Sequence, residues 1–144
     1  MGNQAKIDSL MHYTDLMKKR KGLLDDYEYF KHKLSSISNN RLSGMHRAKG
    51  LPNDRIENNI LRLDKFKELI QDNLEELIKS WIAIELMVSQ LHNSTHRRLL
   101  RLRYIHCMKF DKISKLTGYN VSYVYQLHNE ALKLINSQTL PETI

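Results

Sequence analysis

The sequence predicts an all-α protein: a long N-terminal helical hairpin or coiled coil, then a small C-terminal domain of helix-turn-helix pattern. Three observations carry this. Only 5 Gly and 2 Pro occur in 144 residues, too few turn-formers for a sandwich or barrel of short strands. Apolar residues recur at three-and-four spacing over most of the chain, which is the period of a helix. A seven-residue apolar repeat runs through the middle third, the mark of a supercoiled stripe.

The first helix is expected from about Asn3 to Ile37, with Ile7, Leu10, Met11, Leu16, Met17, Leu23, Leu24, Tyr27, Phe30, Leu34 and Ile37 on its apolar positions. Ser35 to Asp54 loses this periodicity and collects Ser, Asn, Gly44, Gly50 and Pro52. It reads as a mobile loop over 35–53. Arg41, His46, Arg47 and Lys49 fit that loop to touch DNA or protein, or simply to connect. The second helix starts near Asn53 or Asp54, either of which can cap it. Ile56, Leu63, Ile70, Leu77, Ile84 and Leu91 recur every seven residues, and Ile60, Leu74, Trp81 and Val88 fill the interleaved positions, with Lys67 the polar exception. A helix from Asp54 to His92 would be about 58 Å long, and it cannot bury such a stripe alone. The stripe is expected to pack on the first helix, on a second copy of the chain, or on both.

His92-Asn93-Ser94-Thr95 is a cluster of cap-formers that separates residues 1–92 from a domain over 93–137, followed by a tail at 138–144. Three short helices are predicted there, over Thr95–His106, Phe110–Leu116 and Val121–Ile135. Gly118 supplies a tight turn and Asn120 a cap. At 100° per residue, Val124, Leu127, Ala131, Leu134 and Ile135 share one side of the last helix, while Ser122, Tyr125, Gln126, Asn129 and Lys133 share the other.

Charge follows the same division. Lys+Arg outnumber Asp+Glu by 10 to 5 in residues 1–52 and by 8 to 3 in 94–144, but are outnumbered 5 to 8 in 53–93. The net +7 is thus a basic head and a basic N-terminal third around an acidic stalk. Arg97, Arg98, Arg101, Arg103, Lys109, Lys112, Lys115 and Lys133 are candidate phosphate contacts, with Tyr123 beside them. Gln126 and Asn129 carry the paired donor and acceptor that suit adenine in a major groove, and Tyr125 can reach a phosphate or a thymine methyl.

The stretches Leu99-Leu100-Arg101-Leu102-Arg103-Tyr104, Phe110-Asp111-Lys112-Ile113-Ser114-Lys115-Leu116 and Val124-Tyr125-Gln126-Leu127-His128-Asn129-Glu130-Ala131-Leu132 resemble region 4 of bacterial sigma factors. The chain is more closely similar to small sigma region 4-like proteins of temperate phages and prophage islands of Gram-positive bacteria, allied to late-gene transcriptional regulators of the ArpU and RinA type. The resemblance extends back to Leu42-Ser43-Gly44-Met45 and covers about residues 35–135. It implies that Val121, Ser122, Tyr125 and Gln126 occupy the places from which sigma-type recognition helices touch promoter DNA, and by analogy a contact with host RNA polymerase. Val121, Ser122 and Tyr125 stand where sigma factors usually carry charged residues, which lowers the base-specific affinity expected of one domain. A dimer reading two half-sites would compensate.

The sequence carries no phosphate loop, carboxylate pair or nucleophile arrangement, so no enzyme and no cofactor is expected. A single Cys rules out an internal disulfide framework and fits a reducing compartment. Cys107 beside His106 points about 100° away from it and reads as a half-buried helix-end residue. His92 and His96 straddle the cap cluster, so no metal site is expected. Trp81 lies on the repeat, where it packs in the core, and His128 on the flank of the last helix is packed or surface-exposed. With no apolar run long enough for a span, the expectation is a cytoplasmic, dimeric, double-stranded DNA-binding regulator. The alternative is an interaction module that binds or mimics part of the transcription machinery without reading DNA.

Overall fold

The computed structural model describes residues 3–43 and 53–135, with side chains at 3–36 and 57–135. The fold is all-α. Five helices follow in order, α1 (Asn3–Ser43), α2 (Asn53–Val88), α3 (Ser94–Tyr104), α4 (Phe110–Thr117) and α5 (Val121–Leu134), with no strand among the described residues. No described helix is long and apolar enough to cross a membrane.

Helix α1 runs to Ser43, so the expected loop over 35–53 is corrected at its N-terminal side. The stretch from Ser35 to Ser43 has several poor helix formers but no Gly or Pro. Each Ser or Asn costs only a fraction of a kcal/mol once a helix is propagating (about 0.5). Gly44, His46, Arg47, Lys49, Gly50 and Pro52 lie outside the described residues, as do the side chains of Arg41 and Ile56 and the tail from Asn136. The caps fall where the sequence places them. Asn93 accepts a 2.8 Å bond from the Thr95 amide at the start of α3, and Asn120 accepts one of 2.8 Å from the Tyr123 amide at the start of α5.

The α2 repeat keeps one set of positions and shifts the other. Leu77, Ile84 and Leu91 are buried and Leu63 and Ile70 half-buried. The second set turns inward at Asn59, Phe66, Asn73, Ser80 and Met87, one residue before the expected Ile60, Leu74, Trp81 and Val88. Ile60 and Trp81 are each 48% exposed, Leu74 is half-buried, and Val88 keeps a fully buried place. Both offsets average 3.5 residues, so periodicity cannot choose between them. Trp81 sits at the edge with its ring 6.2 Å from Tyr13 in an edge-on contact. A Trp with one polar tip is suited to such an edge. Another face of α2 exposes Ile78, Ile82 and Leu86 beside Trp81 along a groove of about 340 Å³.

The chain divides into two compact units, one of Met1–Met17 with Glu76–Ile144 and one of Lys18–Glu75. This differs from a boundary at 92/93. In the first unit Leu10, Tyr13 and Leu16 of α1 and Leu77, Ile84, Met87, Val88 and Leu91 share a core with Leu100, Tyr104, Ala131, Leu132 and Ile135. Helices α3–α5 hold only a small cluster of their own, Leu99, Ile113, Val124 and Leu127. That is too little apolar surface for three short helices to stand alone. The stripe of α2 is therefore covered within the chain at its C-terminal end. In the second unit α1 and α2 meet through Phe30 and Phe66, with ring centroids 5.4 Å apart.

Candidate nucleic-acid interface

Helices α4 and α5 are joined by a turn whose geometry follows from its residues. Gly118 has φ +81° and its amide bonds Ser114 O at 2.9 Å, an αL ending that favours a residue without Cβ. Thr117 Oγ1 donates to Ile113 O at 2.7 Å, and Ser114 Oγ donates to Tyr119 O. The turn is thereby tied at both ends before Asn120 opens α5.

Helix α5 is two-faced. Val124, Leu127, His128, Ala131 and Leu132 are buried, while Ser122, Tyr123, Tyr125, Gln126, Asn129 and Lys133 are exposed and Val121 is half-buried. The expected polar sector is thus assembled on one side of one helix. Two details differ from expectation: Leu134 is 61% exposed, and Leu132 is buried instead. Tyr125 is held against Phe110, with centroids 4.4 Å apart, and Tyr123 is edge-on to Tyr119 at 5.2 Å.

The structure separates the candidate phosphate contacts into two groups. Three arginines of α3 are occupied within the chain. Arg97 Nη1 donates to Leu91 O at 2.8 Å and to His92 O at 3.0 Å, satisfying carbonyls just past the end of α2. Arg101 forms a two-pronged pair with Glu85 at 3.1 and 3.0 Å, which holds the Glu85 carboxyl below its ordinary range. Arg103 lies 4.4 Å over the Phe110 ring and donates to Met108 O at 2.9 Å. Each of these three guanidiniums thus has partners within the chain: helix-end carbonyls for Arg97, a carboxylate for Arg101, and a ring with a carbonyl for Arg103. Arg98, Lys109, Lys112, Lys115 and Lys133 remain exposed. Arg98 borders a cleft of about 200 Å³ with Ser94, Thr95, Thr117 and Tyr119, where a cation and hydroxyl donors stand together.

Sequence reasoning did not settle His128, which is 4% exposed. Its Nε2 is 2.5 Å from the Tyr104 hydroxyl, and its ring is edge-on to Phe110 at 5.0 Å. A signal was present: at 100° per residue it falls between Ile135 and Leu132 on the apolar side. Burial pushes the His128 pKa down to about 4 and that of Tyr104 up to about 12, so both are neutral near pH 7. An unfolded chain binds a proton at His128 near pH 6.5, whereas the folded chain refuses it until about pH 4. Stability from this residue is complete above the unfolded value and is lost as pH falls from about 6.5 towards 4, by at most about 3 kcal/mol. Urea melts between pH 7 and 5 should show this loss, and His128→Gln should flatten it; an equal slope in both chains would remove His128 as the cause.

Cys107 is exposed rather than half-buried and takes φ 57° just past α3. Thr14 Oγ1 lies 3.6 Å from its sulfur. Asn93 caps α3 between His92 and His96, which keeps the two imidazoles off a common helical face.

The fold and this face define a small all-α protein that carries a helix, a tight turn and a second helix with an exposed polar side. The chain belongs to the family described as protein of unknown function (DUF1492), whose model matches residues 37–136. No curated protein and no solved structure matches the chain.

Proposed function

We propose that the chain is a sequence-specific, duplex-DNA-binding transcriptional regulator of phage or prophage genes, acting as a dimer in the cytoplasm of a bacterial host and contacting its RNA polymerase. The observation that carries this reading is the exposed side of α5, where Ser122, Tyr125, Gln126 and Asn129 stand opposite a buried apolar side. A helix of this kind presents paired amide donors and acceptors to base edges in a major groove. Arg98, Lys109, Lys112, Lys115 and Lys133 supply the positive charge that phosphates require. The polymerase contact rests on the sigma region 4 resemblance alone.

Selection of bound fragments from a randomised duplex library should return an enriched site. Gln126→Ala with Asn129→Ala should relax its sequence preference by about tenfold or more at one or two base pairs, with nonspecific affinity kept. No enriched site, together with co-purification of polymerase in the absence of DNA, would replace this reading by the interaction module.

A further inference from the structure

Gln126 does not stand free on its helix. Its Nε2 donates to Glu130 Oε1 at 3.1 Å, one turn further along α5. The other oxygen of the same carboxylate, Oε2, lies 3.4 Å from Nε2 of His96 on α3. His96 is 6% exposed, and neither of its ring nitrogens completes a hydrogen bond among the described residues. Glu130 therefore stands between a buried imidazole and an amide on the exposed face.

From this geometry we infer that Glu130 is a positioning residue that fixes which way the Gln126 amide faces, with His96 as its anchor. The inference rests on the DNA-binding reading of α5 and adds a specificity determinant to it. An unrestrained Gln has two N–H donors and one carbonyl acceptor, and its amide can flip. With one N–H given to Glu130, a single donor and the carbonyl remain to meet a base. That pair matches adenine, which offers an N6 donor and an N7 acceptor. It mismatches guanine, whose O6 and N7 both accept. Glu130 thus works against guanine by removing the second donor, without touching the base itself.

Two measurements on the full chain test this. In nitrogen-15 spectra without DNA, Glu130→Ala should shift the Gln126 side-chain amide resonances. Glu130→Gln, which keeps a carbonyl acceptor, should leave them near their original place. His96→Phe, which keeps a ring in the core but no nitrogen, should move the same resonances in a chain whose spectrum stays dispersed. In site selection, Glu130→Ala should lose about tenfold of adenine-over-guanine preference, at the base pair affected by Gln126→Ala and with no further loss in the double variant. Glu130→Gln should restore the preference. Unmoved amide resonances in Glu130→Ala, or wild-type site selection by Glu130→Ala beside an altered Gln126→Ala, would overturn the positioning role alone. Wild-type selection by Gln126→Ala would overturn base reading by that residue, and the inference with it.

Discussion

Leu100→Ala should destabilise the first unit by about 2–5 kcal/mol and lower its melting temperature by an amount on the order of 10–20 °C. Leu100 is fully buried, and its core neighbours come from α1, α2, α3 and α5. Truncation leaves a hole that none of these helices can close without disturbing the others. Leu134→Ala is the matched control, because Leu134 is 61% exposed and its loss should stay within about 0.5 kcal/mol. Thermal melts followed by circular dichroism read both. Equal shifts in the two variants would mean that the core does not run through Leu100.

The second large effect concerns DNA. Replacing Arg98, Lys112 and Lys115 together by Ala should weaken binding to every duplex, on the order of 100-fold at physiological salt, and reduce the slope of log affinity against log salt by about 2–3. Arg101→Ala should behave differently. It strands the Glu85 carboxylate, which is 39% exposed beside an Arg101 that is 42% exposed, so it should cost at most about 1 kcal/mol of stability and leave DNA affinity within about twofold. A salt titration on one duplex with each variant separates the two groups of cations. Were Arg101→Ala to weaken binding as much as the triple variant, the division drawn from the structure would fail.

These two tests also show where the sequence is readable. Asn93, Gly118 and Asn120 announce helix ends by local chemistry, and the structure has helix boundaries beside each. The exposed side of α5 follows from residue spacing within one helix, and so it too was legible. What requires a second element was not. Nothing near Arg101 in sequence says that Glu85, 16 residues earlier, claims its guanidinium, and nothing near Arg97 says that it closes the end of α2. Charge counting treats each cation alike, whereas Arg97, Arg101 and Arg103 have partners within the chain and Arg98 is exposed. The second set of α2 positions was unreadable for a related reason: Val88 and Met87 are both apolar, and only the helices that close over them determine how much of the seam each supplies. Glu130 carried a weak signal in its four-residue spacing from Gln126, but none that pointed to His96.

One contact reaches across almost the whole sequence. Lys6 Nζ donates to Leu132 O at 2.7 Å, spanning 126 residues, while Leu10, Tyr13 and Leu16 lie in the same core as Ala131, Leu132 and Ile135. On the ribosome the first of these segments emerges long before the last. The nascent chain must therefore carry the apolar side of α1, and the end of α2 after it, without their final partners until α5 has been made. Folding of the first unit consequently waits on α5. A ribosome stalled before α5 would display α1 and the end of α2 with no partner to close upon.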